Sequence, residues 1–284
     1  MSVTNQTPPP KAHFSVPGGL IAALDTMPAP TAGVPTALLV PGYTGSKEDF
    51  TPLLTPLTQA GYRVVAIDQR GQYESSWAED EAGYRIESLG DDLRRVAESL
   101  RPAATALHLV GHSFGGLVGR AAVLAAPELF DSFTLMSSGP AALQGPRRQL
   151  IDEGEQVLAE RGMAGLWQEM AARAQADPAT AQAPAQLLEF LQARFMGNDP
   201  VGLQVMGDQL RTVVDLTDKL KGCGLPLLVL HGVDDDTWPP TAQAEMAVRL
   251  GAEHVVIPAA AHSPAVENTA DTAAALLAFF SGGA

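Results

Sequence analysis

Apolar positions in this chain come in two patterns, short unbroken runs and longer stretches where they recur every three or four residues. These are the signatures of buried parallel strands and of amphipathic helices. Residues 36–40, 63–67, 106–110, 132–136, 225–230 and 254–257 predict strands, and 49–60, 86–100, 114–126, 241–250 and 264–280 predict helices. Ile86, Leu89, Leu93, Val96 and Leu100 share one face of the second helix, with charges opposite, so that helix covers one side of a sheet. In the first, Asp49 or Thr51 is the expected cap, with Pro52 in the first turn and Gly61 closing it. Residues 1–10, which end in three prolines, predict a flexible tail; residues 13–26, broken by Pro17-Gly18-Gly19, predict a hairpin, and 27–35 a loop.

Between Gly139 and Leu225 no convincing buried strand occurs. A parallel crossover needs only about a dozen residues, so this stretch predicts an insertion. Its segments 146–160, 164–175, 185–195 and 201–210 are helical in pattern, divided by Gly162, Asp177-Pro178, Pro184 and Asp199-Pro200. The expected architecture is an α/β fold with a mostly parallel central sheet flanked by helices. Its core comprises residues 11–139 and 225–284, and a helical cap residues 140–224.

Composition narrows the function. The chain has 284 residues, 46% hydrophobic and 18% charged, enough to bury a large core. Its 18 basic and 32 acidic residues give a net charge of −14, which repels phosphate backbones and anionic membrane surfaces, so neither nucleic acid nor a membrane is an expected partner. Cys223, the single cysteine, can form no intramolecular disulfide, and no Cys/His cluster has zinc spacing. No metal and no organic cofactor is expected. The polar N-terminus lacks a basic start and an apolar core segment, and the apolar runs are strand-length, which leads to the expectation of a cytoplasmic protein.

The chemistry concentrates at Gly111-His112-Ser113-Phe114-Gly115, which lies between an apolar strand and an apolar helix stopped by Pro127. Flanking glycines let a strand turn sharply into a helix and leave the serine exposed at the bend. Ser113 is therefore the candidate nucleophile. Phe114 opens the helix, and its backbone N–H is a candidate oxyanion donor.

With this turn the chain resembles the α/β-hydrolase family. The resemblance extends to Pro41-Gly42-Tyr43-Thr44-Gly45-Ser46, Asp68-Gln69-Arg70-Gly71, Gly232-Val233-Asp234-Asp235 and Ala261-His262-Ser263. It implies a triad in the order serine, acid, histidine. Family spacing selects Asp235, three residues after Gly232 and four before Pro239, with Asp234 and Asp236 left as turn and helix-cap residues. Of six histidines only His262 sits in a strand-to-helix loop after the acid; His112 is expected to point away and His231 to be packed or hydrogen-bonded. The resemblance also gives the backbone N–H of Tyr43 the second oxyanion role, although Pro41 stands where relatives commonly carry histidine. The charged pair Asp68 and Arg70 is expected to brace its loop.

Bulky apolar residues of the cap, Met163, Trp167, Phe195 and Met196, together with Trp238, are expected to line a hydrophobic substrate pocket, with a small core of the cap as the competing reading. Arg147-Arg148 would meet either an anionic substrate group or solvent. The function implied is a serine hydrolase that cleaves a small, fairly apolar carboxylic ester or lactone through an acyl-enzyme. Similar triads also serve carbon–carbon bond hydrolases, peptidases, perhydrolases and acyltransferases, and the same fold occurs in ligand-binding proteins with little turnover. The sequence leaves the oligomeric state open.

Overall fold

A computed structural model describes residues 10–27, 33–176, 181 and 183–282. The expected tail apart from Pro10, part of the expected loop 27–35 and the whole Asp177-Pro178 break fall outside them. Eight strands, β1 (Lys11–Val16), β2 (Gly19–Asp25), β3 (Val34–Val40), β4 (Arg63–Ile67), β5 (Ala104–His112), β6 (Ser132–Met136), β7 (Leu227–Gly232) and β8 (Glu253–Ile257), form one sheet in the order β1-β2-β4-β3-β5-β6-β7-β8. The β1–β2 hairpin joins β4 antiparallel, and all pairings from β4 to β8 are parallel.

The helices are α1 (Thr51–Gln59), α2 (Ile86–Leu100), α3 (Phe114–Ala125), α4 (Gly145–Ala176), α5 (Ala185–Met196), α6 (Pro200–Thr212), α7 (Thr217–Lys221), α8 (Pro240–Leu250), α9 (Pro264–Glu267) and α10 (Thr269–Gly282). Strand alternation sends side chains to two layers. Leu38 and Val40 join Leu93, Phe114, Leu117 and Met246 on one face. Ala37 and Leu39 join Leu53, Leu57, Leu276 and Phe280 on the other. α4 to α7 all lie between β6 and β7. Gly162, with φ 64° and ψ −170°, breaks α4 where the sequence places a divider.

Several boundaries differ from expectation. β5 runs past residues 106–110 in both directions because its neighbours β3 and β6 extend the ladder. The C-terminal helix divides at Asn268, which leaves helical geometry (φ −142°, ψ 71°). The short α7 has no predicted counterpart. α1 starts after a tight turn at Lys47–Phe50 rather than at an Asp49 or Thr51 cap; Asp49 Oδ2 instead accepts the Ser46 N–H at 3.1 Å.

Asp68 and Arg70 do brace the molecule, each through a partner of its own. Lys47, fully buried, places Nζ 2.7 Å from Asp68, 2.8 Å from Glu74 and 3.0 Å from Glu48. Arg70 binds Asp92 through two nitrogens at 2.7 and 2.9 Å and reaches Pro17 O at 2.7 Å. Removing one side of such a buried pair strands a charge. Lys47→Met therefore costs about 3–5 kcal/mol, read from urea unfolding.

His108 is also buried, its Nδ1 2.8 Å from Ser132 Oγ and its ring stacked on Phe280 at 4.4 Å. Burial pushes its pKa down to about 4. The folded chain thus keeps this ring neutral where the unfolded chain binds a proton, so the contribution is complete above pH 6.5 and is lost as pH falls toward 4. Thermal melts between pH 7 and 4 should show that decline, and His108→Gln should flatten part of it.

Candidate active site

β5 and α3 meet at Ser113, which takes φ 54° and ψ −120°, a left-handed conformation that a side chain rarely adopts. The close approach of its neighbours explains the glycines. A Cβ on Gly111 would press into the Gly115 carbonyl, and one on Gly115 into the carbonyls of Val40 and Pro41. These contacts draw the β3 loop against the turn; a Cβ on Gly42 would lie 3.0 Å from that of Ser113.

Two loops from the far end of the chain complete the site. Ser113 Oγ lies 3.0 Å from His262 Nε2, and His262 Nδ1 lies 3.0 Å from Asp235 Oδ1. With the imidazole proton on Nδ1, donated to the carboxylate, Nε2 is free to accept from the serine. Asp235 is buried, and its Oδ1 also accepts the Thr237 N–H at 3.0 Å while Oδ2 accepts Gln243 Nε2 at 2.9 Å. Burial alone would raise this carboxyl, but the hydrogen bonds from His262, Thr237 and Gln243 outweigh it and hold it below the usual carboxylate range. The loop carrying His262 is tied by Glu267 Oε2, which accepts the N–H groups of Ala261 at 2.6 Å and Ser263 at 3.2 Å.

Phe114 is the first residue of α3, whose N-terminus has no side-chain cap. Among the described residues neither its N–H nor that of Tyr43 has an acceptor. Phe114 follows Ser113 directly at the start of α3, and the β3 loop carries Tyr43 against the same turn through Gly42. The Tyr43 ring also lines the adjoining cavity, and burial raises its hydroxyl pKa to about 12.

That cavity holds about 660 Å³ and opens on Ser113 and His262. Its apolar wall comes from Leu143, Leu150, Ile151, Val157, Leu166 and Met170. None of the five expected pocket residues lines it. Met163, Trp167 and Phe195 pack with Leu166 and Leu203 into a small core of the inserted helices. Met196 is exposed, and Trp238 is buried in the main core against Gly139, donating Nε1–H to Ala141 O at 3.0 Å. Size and flexibility marked these residues in the sequence, but the phase of each helix decides which face meets the cavity.

Other placements also differ. His112 turns toward the site: its Nε2 lies 2.8 Å from His262 O, the rings are 5.0 Å apart, and burial pushes its pKa down to about 4. Asp236 caps no helix but binds Arg147 at 2.6 Å, while Arg148 reaches Arg211 O. His231 is hydrogen-bonded as expected, to Gly232 O and His254. Gln243 and Glu267 act on residues only eight and four to six positions away, yet neither belongs to a motif that marks it in the sequence. Among the described residues no group of three or more His, Cys, Asp or Glu is placed to hold a metal ion, and no helix is long and apolar enough to cross a membrane.

A family model described as the alpha/beta hydrolase fold matches residues 35–269. A protein of Pantoea ananatis designated carbamate hydrolase RutD is 31% identical over 241 residues, 83% of this chain and 84% of that one. Among solved structures, a thermophilic esterase from Thermogutta terrifontis superposes with a TM-score of 0.77 at 22% identity, over 96% of this chain and 99% of that one. The enol-lactonase from Burkholderia xenovorans gives 0.75 at 20% identity, over 95% and 100%.

Proposed function

Since the chain belongs to the alpha/beta hydrolase fold family and is by that membership a hydrolase, we propose that it is a serine hydrolase cleaving small, uncharged, fairly apolar carboxylic esters or lactones. The observation that carries this reading is the hydrogen-bonded series Ser113–His262–Asp235, 3.0 Å at each link, beside two N–H groups that have no acceptor among the described residues. The helices of residues 140–224 act as the cap over the substrate.

A serine hydroxyl is a poor nucleophile at neutral pH, so His262 Nε2 takes its proton as Oγ attacks the substrate carbonyl. Asp235 fixes the tautomer and stabilises the imidazolium. The N–H groups of Phe114 and Tyr43 meet the oxyanion, each worth about 3 kcal/mol. The C–O bond then breaks, and His262 returns the proton to the leaving alcohol. Water, deprotonated by the same imidazole, releases the acid and restores Ser113.

Charge on the cavity wall supports an uncharged substrate. Arg147, Arg173 and Arg194 are each paired, with Asp236, Glu153 and Asp49, and Glu169 is paired with Arg161. Among the described residues Glu267 is held by backbone N–H groups alone, which leaves the wall with carboxylate in excess. A substrate carboxylate a few ångströms from such a charge loses about 1.4 kcal/mol at partly wet dielectric. Nitrophenyl esters with a neutral acyl group should therefore exceed carboxylate-bearing ones about tenfold in kcat/KM; equal rates would contradict the neutral-substrate reading.

The direct test is an organophosphonate serine probe with intact and peptide mass readout, run beside short and medium nitrophenyl esters. A label on the Ser113 peptide with ester turnover is expected. A wild type that neither labels nor turns over would leave a binding protein. Neutral carbamates belong in the same panel, because the relative of Pantoea ananatis covers most of the chain.

A further inference from the structure

We infer that Gln72 is a positioning residue of the oxyanion loop, holding by its side-chain amide the peptide unit that presents the Tyr43 N–H; the inference rests on the serine-hydrolase reading. After β4 the chain turns beneath residues 41–46. There Gln72, fully buried, donates Nε2–H to Gly42 O at 2.8 Å. Its other end fixes the orientation of the amide. Oε1 accepts the Gln69 N–H at 3.0 Å, so a flipped amide would set donor against donor and acceptor against acceptor. Gln69 does the same one residue earlier, donating Nε2–H to Pro41 O at 2.8 Å.

The Gly42 carbonyl and the Tyr43 N–H belong to one planar, trans peptide unit, so they point in opposite directions. A carbonyl anchored in the interior turns its N–H outward, toward the cavity beside Ser113. The same bond polarises the unit. Gln69 N–H, the Gln72 amide and the Gly42–Tyr43 amide form a relay of aligned dipoles, each strengthening the next donor in a low-dielectric setting. A purely structural role explains less, because Gly45 N–H already satisfies Gly42 O at 3.1 Å. An apolar side chain of equal volume would fill the space without the cost of burying an amide.

Two variants test this, both measured against a wild type shown to label at Ser113. Gln72→Met keeps the volume and loses the donor; Gln72→Glu keeps the shape and sets an acceptor against the carbonyl. Gln72→Met should lower kcat about 10- to 100-fold, less than the loss of a whole oxyanion donor, with KM within twofold. It should weaken a trifluoromethyl ketone, whose tetrahedral adduct places O⁻ in the hole, by the same factor. The planar methyl ketone of the same skeleton should bind unchanged. Should the Met variant fail to fold, Gln72→Glu carries the test. Its kcat relative to wild type should rise as the pH is lowered and the carboxyl regains a proton to donate. Unchanged kcat with only a lower Tm, or equal weakening of both ketones, would overturn the positioning role. A wild type that is not phosphonylated at Ser113 removes the serine reading and this inference together, whereas a labelled wild type beside an unimpaired Gln72→Met removes this inference alone.

Discussion

Ser113→Ala should lower ester turnover about 10⁶-fold and abolish phosphonate labelling, because the variant lacks the hydroxyl that the proposed mechanism has His262 deprotonate. The residual rate should stay about 10³-fold above that in water, since binding and the two N–H donors persist. Folding should scarcely change: alanine keeps the strained backbone at φ 54° and leaves the packing of α3 untouched. Ser113→Gly is equally inactive but frees that backbone, and should gain about 1 kcal/mol in urea unfolding. Opposite movement of stability and rate in one substitution would show that the turn is strained to aim the hydroxyl. An active Ser113→Ala would place the chemistry on another residue.

Asp235→Asn should cost about 10⁴-fold in kcat at neutral pH. The carboxylate accepts three hydrogen bonds, from His262, Thr237 N–H and Gln243. An asparagine has one acceptor oxygen. If that oxygen keeps Thr237 and His262, its NH₂ meets Gln243 Nε2 donor to donor; in the other orientation the NH₂ faces His262 Nδ1 and drives the ring proton to Nε2, where it blocks acceptance from Ser113. The loss should therefore appear in kcat, with KM within a few-fold. Asp234→Asn, one residue away, should leave the rate unchanged. A loss confined to Asp234→Asn would move the acid to that neighbour.

Much of this architecture is legible in the sequence, because the central strands of the parallel sheet are buried on both faces over most of their length and must be apolar runs, whereas the edge strand β8 is largely exposed. Residues 63–67 and 132–136 coincide with β4 and β6. The Ser113 turn was legible for the same local reason, since two glycines and a serine at fixed spacing have few structural uses. Asp235 and His262 needed the spacing of a family resemblance to be picked out, and the geometry brings both to Ser113. Part of what escaped the sequence acts across long separations. Gln72 reaches Gly42 over 30 residues, and His112 reaches His262 over 150. No periodicity records such contacts. The cavity wall escaped for another reason: Met163, Trp167, Leu166 and Met170 all pack in the core of the inserted helices, but only Leu166 and Met170, one turn apart, also reach the cavity. Composition names the apolar residues of a helix but not which of two adjacent faces each will serve.

Beyond β5 the sheet adds its strands in chain order, β6, β7 and then β8, and each lies at the outer edge of what is already in place. A chain emerging from the ribosome can therefore extend its fold outward without displacing a strand. The turn at Ser113 can form early, but its hydrogen-bonding partner His262 is made 149 residues later. Until then the serine is strained but lacks the imidazole partner that the proposed mechanism requires. On the proposed serine mechanism, nascent or truncated chains that end before the loop of His262 hold the strained turn without its imidazole partner, so hydrolytic power arrives late and all at once when that loop is made.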